Sequence, residues 1–363
     1  MLNFELNKSC KKITINPFTF ASWSLDTVST VTIVLLMVQV LMLSVTKSTG
    51  SLIVLVGALA ASVLSEIIHR TLLVRDMHFH SWRISIIQGL LTGLLLPSTY
   101  NPLAVFLVVF FAMTIFRWAF GEFAESWANI VAVCVVALYL INSSCFPPSA
   151  LSSSDLQSRN AALILIQNGT ITPISADSAV TDFLNRTIFK LVGISIPEGY
   201  VSLLWDNGSS IPAFRFNVVT LISSLVLISL DFVDILIPAI FLFVYTILIR
   251  FVSPIILGGI PMQGDIILAL LTSGTLFSTL YILQWYGTTP INLWGKIIYG
   301  ITAGILGFII IGFGLSSVGY VFTVILMNLI SPCIQVIEDK RKFASIRKKV
   351  IPRLKIMKEY EDA

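Results

Sequence analysis

Two threonines in matching short settings are the first residues whose type and spacing suggest chemistry. Thr92 lies in GLLTGLLLPS (89–98) and Thr272 in ALLTSGTL (269–276). Each follows two leucines and precedes a small residue, and each segment leads to a turn ending in Asn101-Pro102 or Thr289-Pro290. The apolar run from Ile84 stops at Leu96 before Pro97. At 1.5 Å per residue it spans about 20 Å, too little to cross a bilayer as a helix. Short or interrupted segments at corresponding places in two halves of a chain put helix ends and free backbone groups near the membrane midplane, where they meet a ligand. The competing expectation is that Gly89, Gly93 and Gly274 only let helices approach, with both threonine hydroxyls bonded to backbone.

Other candidates are weaker in spacing. In DNGSS (206–210), the amides of Gly208 and Ser209 enter the next apolar run and form either a phosphate cradle or a plain turn. Glu66, His69, Glu122, Glu125, Asp231, Asp234 and Asp265 all fall at the ends of apolar runs. Interfacial solvation is the default expectation for each of them. Cys10, Cys134, Cys145 and Cys333 are scattered without a CxxC or a neighbouring histidine, so no zinc or iron–sulfur site is expected. No GxGxxG is present, so the chain is not expected to oxidise a nicotinamide by itself.

The elements that must position these residues are membrane helices. Only 12% of the 363 residues are charged, and the mean hydropathy is +0.91, values outside the range of a soluble domain. Ten apolar runs are read as spans: 27–45, 51–67, 84–96, 103–119, 127–142, 217–230, 232–250, 265–283, 297–313 and 318–334. The first 20 residues are mixed polar and no small-residue cleavage site follows the first run, so no signal peptide is expected. The basic tail from Gln335, with Lys340, Arg341, Lys342, Arg347, Lys348, Lys349, Arg353, Lys355 and Lys358, is assigned to the cytoplasmic side. With ten spans both termini lie there. This predicts four parts: a five-helix repeat at 1–142, an extracytoplasmic loop at 143–216, a second five-helix repeat at 217–334 and a basic cytoplasmic tail at 335–363. Because each repeat is odd-numbered, the second is inverted. The expected fold class is therefore an all-α integral membrane protein with about ten transmembrane helices in a 5+5 inverted repeat and one large outer loop. The tail is also suited to anionic lipid headgroups, and nothing calls for a nucleic-acid partner.

Several stretches carry a family likeness. ISIIQGLLTGLLLPSTYNP (84–102), FAMTIFRWAFGEF (111–123), GDIILALLTSGTLF (264–277), TTPINLWGKIIYGITAGILG (288–307) and GYVFTVILMNLISP (319–332) resemble, in order and spacing, the RnfD membrane protein of Rnf electron-transport complexes and its homologue in the sodium-pumping NADH:quinone oxidoreductase. The resemblance implies a urea-transporter-like fold in a bacterial cytoplasmic (inner) membrane. It implies a subunit of an ion-translocating oxidoreductase, inactive alone, that carries flavin and relays electrons coupled to sodium or proton transport. It also implies FMN joined covalently to a threonine of an S-G-A-T motif, matched here by Ser178-Ala179-Val180-Thr181, which makes Thr181 the candidate attachment residue. A second flavin such as riboflavin would be non-covalent. On this reading Ser178, Gly208, Ser209, Thr92 and Thr272 are further cofactor-binding candidates.

Three places depart from the family pattern. Ala179 and Val180 add side-chain bulk to the motif. FGEFAESWANIV (120–131) loses the proline and most glycines of its counterpart, and LQWYGTTP (283–290) loses a carboxylate. Two other readings therefore stay open: a small-solute channel or transporter of urea-transporter-like fold, and a cofactor-free scaffold subunit. Partner subunits of a membrane complex are expected on the first and last readings.

Overall fold

The computed structural model describes residues 23–74, 79–120, 126–147, 174–191, 193, 195–256, 262, 264–285, 287–311 and 318–361. Glu122, Glu125 and Cys10 lie outside the described residues. Every regular element described is helical. The chain order is α1 (Leu25–Val45), α2 (Thr49–His69), α3 (Phe79–Leu94), α4 (Pro102–Phe120) and α5 (Ile130–Ile141). Three short helices between the two halves follow: α6 (Asp177–Thr187), α7 (Tyr200–Trp205) and α8 (Pro212–Arg215). The second half holds α9 (Asn217–Ser229), α10 (Leu236–Ile247), α11 (Ser253–Ile256), α12 (Ile266–Thr272), α13 (Thr275–Tyr281), α14 (Leu293–Ile311) and α15 (Gly319–Glu361).

Six of the apolar stretches form helices long and apolar enough to cross a membrane: Leu25–Val45, Thr49–Leu72, Pro102–Phe120, Leu236–Ile256, Leu293–Ile311 and Gly319–Ala344. The other four differ from simple spans. α5 and α9 are short, α3 starts at Phe79 and is longer than the apolar run suggests, and the eighth stretch is two seven-residue helices. The last helix extends well past the apolar run. It runs unbroken for 43 residues, so the basic tail continues the tenth span, in line with a segment after Gln335 that contains no glycine to end it.

Polarity is arranged for lipid. On α1 the exposed side chains include Val34, Met37, Val38, Leu41 and Val45, whereas Ser29, Thr32 and Gln39 are buried. α9 likewise buries Asn217, Thr220 and Ser223 and exposes Ile222 and Leu225. These two polar faces meet: Gln39 Nε2 donates to Thr220 Oγ1 at 3.0 Å. With hydrocarbon outside, such helices associate through packing and buried hydrogen bonds.

Several features occur once in each half. α2 is followed by a π-helical turn, Arg70–Val74, and α10 by another, Leu248–Val252, which carries Arg250. α4 packs on α2, and α14 packs on α10. Close approach rests on small residues: a Cβ on Gly93 of α3 would lie 2.7 Å from Leu55 Cα, and one on Gly304 of α14 2.8 Å from Val244 Cβ.

Candidate functional site

The repeated threonines occupy equivalent positions and do the same thing. Thr92 Oγ1 donates to Gln88 O at 2.7 Å, and Thr272 Oγ1 donates to Leu268 O at 2.8 Å. Both are buried, and both hydroxyls are used within their own helix. The segments around them differ. α3 continues past Thr92 to Leu94, whereas the eighth stretch breaks at Ser273-Gly274, where Gly274 takes φ +69°.

Local sequence explains the break. Thr272 and Ser273 both turn their hydroxyls back to carbonyls four residues earlier, a pattern that competes with regular helix geometry. Gly274 then enters the left-handed region without a Cβ penalty. The ring of Phe214 fills the space a side chain would need, its Cε1 only 2.0 Å from an ideal Cβ. The carbonyl of Leu271, at the break, accepts from Asn207 Nδ2 at 2.9 Å and Asn217 Nδ2 at 2.8 Å. At the far end of α13, Asn129 Nδ2 donates to Ile282 O at 3.1 Å, tying the start of α5 to the second half.

Below the break, between α1, α3, α9 and α13, lies a cleft of about 50 Å³ lined by Ser29, Thr32, Ile87, Leu91, Tyr281 and Trp285 among others. It shares Phe232, Val233, Gln284 and Trp285 with a vestibule of about 620 Å³ that also touches Asp231, Asp234, Thr289 and Lys296. Lys296 Nζ donates to Asp234 Oδ2, and Gln284 clasps the Asp234 backbone, donating to its carbonyl at 2.8 Å and accepting from its amide at 3.1 Å. The Leu236 amide adds a further contact, donating to Asp234 Oδ1 at 2.9 Å, so the carboxylate is held at the start of α10 by a cation on one oxygen and a backbone donor on the other.

A second polar cluster is buried at one end of the first half. Glu66 Oε1 accepts from Arg70 Nε, and Glu66 Oε2 lies 3.1 Å from Arg117 Nη1 and accepts from Ser85 Oγ at 3.0 Å. Arg117 Nη2 donates to Ser85 Oγ at 2.9 Å and to Gln88 Oε1 at 3.0 Å. Glu66, Arg70 and Arg117 are 4%, 3% and 8% exposed, so the solvation expected for Glu66 at a helix end is not what the fold provides. Asp265 is buried as well: it caps α12 through Leu268 N at 3.0 Å and accepts from the Tyr200 hydroxyl of the outer segment. Asp231 alone of the turn carboxylates is exposed.

The outer segment has its own hub. Asp177 accepts from Thr181 Oγ1 at 3.0 Å, Gly199 N at 3.1 Å, Ser202 N at 2.9 Å and the Ser202 hydroxyl. Burial works against this carboxylate, but its four donors outweigh it and hold the pKa below the usual range. Thr181 is 3% exposed, whereas Ser178, one turn earlier on α6, is exposed. The amide of Gly208 is taken by Asp206 Oδ1 at 2.9 Å and that of Ser209 by Asn207 Oδ1 at 3.0 Å. Asp206 in turn binds Arg215, Nε to Oδ1 at 2.7 Å and Nη2 to Oδ2 at 2.8 Å. Among the described residues no group of histidine, cysteine, aspartate and glutamate is arranged to hold a metal.

The fold and these clusters define a multi-pass membrane protein with a broken helix beside a cleft between its two halves. Residues 12–344 match the model of the NQR2, RnfD, RnfE family, and the chain belongs to that family. It is a family of membrane subunits of Rnf/NQR-type ion-translocating oxidoreductase complexes. No curated protein matches the chain significantly.

Proposed function

We propose that this chain is a membrane subunit of an ion-translocating electron-transport complex of the Rnf type, working only with partner subunits. We further propose that its ten apolar segments form a urea-transporter-like 5+5 inverted repeat in a bacterial cytoplasmic membrane, with both termini cytoplasmic. The observation that carries the reading is the family match over residues 12–344. The repeat is supported by the paired π turns after α2 and α10, the paired α2/α4 and α10/α14 packing, and the equivalent Thr92 and Thr272 bonds.

Electron relay needs a carrier, and the reading assigns flavin. Thr181 as folded does not fit a phosphoester-linked FMN. Its hydroxyl is buried and donates to Asp177, and a phosphate placed there would meet a carboxylate already filled by four donors. The vestibule fits better by size, since ligand sites span roughly 300–1,000 Å³. Its two aspartates against one lysine disfavour a phosphate and suit an uncharged flavin such as riboflavin, with Trp285 and Phe232 offering aromatic surface. Burial of Thr181 also favours the second reading, a scaffold subunit without cofactor.

The test is flavin analysis of the complex purified in mild detergent through a tag on this chain. The proposal predicts co-purifying redox subunits and a flavin released from the chain by acid, with no fluorescence on the denatured band. Fluorescence on that band, lost in Thr181→Val, would overturn the assessment of Thr181. Absence of any flavin from the isolated chain would overturn the flavin assignment.

A further inference from the structure

The inward side of α15 carries polar residues at intervals along the thickness of a membrane, among buried apolar ones such as Val324, Met327 and Ile334. Tyr320, Thr323, Asn328, Ser331, Gln335 and Glu338 share one side of the helix at 100° per residue, while Leu326, Leu329, Val336 and Ile337 face outward. From Tyr320 to Glu338 the helix rises about 27 Å, close to the hydrocarbon thickness of a bilayer.

The ends of this stripe are bonded within the protein. Thr323 Oγ1 donates to Gly319 O at 3.0 Å, and Gln335 Nε2 donates to Thr289 O at 3.4 Å. Glu338 accepts from Gly295 N at 2.7 Å and Asn292 Nδ2 at 2.8 Å. The middle is different. Asn328 Oδ1 and Nδ2 and Ser331 Oγ have no partner among the described residues, nor has the Tyr320 hydroxyl at the start of the stripe, and these residues are 0%, 2% and 1% exposed. A primary amide buried without any hydrogen bond costs a few kcal/mol. The enclosure is made by this chain's own helices, so another protein resting on its surface does not supply the missing bonds.

We propose that the inward face of α15 is a binding site for ordered water at Asn328 and Ser331. The chemistry of the orphaned atoms selects the ligand. Asn328 Nδ2 needs an acceptor and Oδ1 needs a donor, and water is both. A metal cation satisfies only the oxygens and leaves two N–H groups bare. Positions three apart on a helix are neighbours, with Cβ atoms about 5–6 Å apart, so one water reaches both side chains, and a buried water typically makes about three such bonds. The site extends the bonded stripe from Glu338 toward Tyr320 and rests on α15 alone, independent of the flavin reading.

X-ray radiolytic footprinting of the intact complex tests it, because a water held inside a protein is activated in place and labels the side chains beside it. Met327 and Met113 are both 0% exposed, and only Met327 adjoins the site. The proposal predicts Met327 oxidation several-fold above that of Met113, reduced to the Met113 level in Asn328→Leu. Ser331→Ala, a milder change, should lower it partway if Asn328→Leu does not assemble. Equal protection of Met327 and Met113 in the wild type would overturn the proposal, and so would labelling of Met327 that neither substitution changes.

Discussion

Gly274→Ala tests the broken helix directly. The wild-type residue sits at φ +69°, where an L-residue carries a penalty of about 1–2 kcal/mol. The new methyl would also lie 2.0 Å from Phe214 Cε1 and 2.2 Å from Cδ1. Phe214 is itself 3% exposed and edge-on to Tyr320 at 5.0 Å, so the ring has little room to retreat, and overpacking of this kind costs about 1–3 kcal/mol. Together the two effects come to about 2–5 kcal/mol, or a fall of roughly 3–7 °C in apparent Tm for a chain of this size. The assay is fluorescence-detected size-exclusion chromatography after stepwise heating in detergent. Phe214→Leu removes the overlap and leaves the backbone penalty. The cycle of Gly274→Ala, Phe214→Leu and the double variant should therefore show favourable coupling of about 1–3 kcal/mol. Retention of wild-type stability by Gly274→Ala, or the absence of coupling to Phe214, would refute the account of the break.

Glu66→Gln removes the carboxylate shared by Arg70 and Arg117 and is expected to destabilise the first half by about 3–5 kcal/mol; adding Arg117→Met should restore part of it, read as thermal stability in detergent. Thr92→Val and Thr272→Val delete only bonds to their own helices, so each should cost about 0.5–1.5 kcal/mol and leave complex activity unchanged in a donor-driven electron-transfer assay. Asp177 is held below its unfolded value of about 3.9. Its contribution to the outer segment is therefore fully present above that pH and is lost as pH falls through the folded value. Hydrogen exchange across residues 177–205 should show protection that drops on acidification, and Asp177→Asn should lack both the protection and its pH dependence. Gly93→Leu drives a side chain into the Leu55 backbone and should prevent assembly of α3 on α2, seen as loss of a monodisperse peak.

Sequence makes the membrane class and the apolar segments legible, because hydrocarbon demands long uncharged runs whatever the fold. It also marks Thr92 and Thr272 as equivalent, and the structure gives them the backbone bonds that one of the two sequence readings expects. The interruption falls in ALLTSGTL, one of the two segments the sequence marks, but the motif alone does not place it, since LLTG at 90–93 stays within α3. What ends the helix is the consecutive back-bonding of Thr272 and Ser273 together with Phe214 and Asn217, some 55 to 60 residues away. The Arg117–Glu66 pairing is invisible for a related reason. Each residue sits near the end of its own helix and reads as interfacial, and only the packing of α4 on α2 closes the pair away from solvent. Asp177 carries no signal at all. Its role comes from Gly199 and Ser202 folding back onto the start of α6, whereas the motif reading points to Thr181, which is one of its donors.

The central claim is that the chain serves electron transport coupled to ion movement. Inverted membrane vesicles from a strain deleted for this chain, compared with the complemented strain, test it most directly through ion uptake driven by reduced ferredoxin or NADH. The account predicts that the deletion abolishes donor-driven uptake through the complex and that complementation restores it. Uptake of equal rate and extent in the two strains would contradict it.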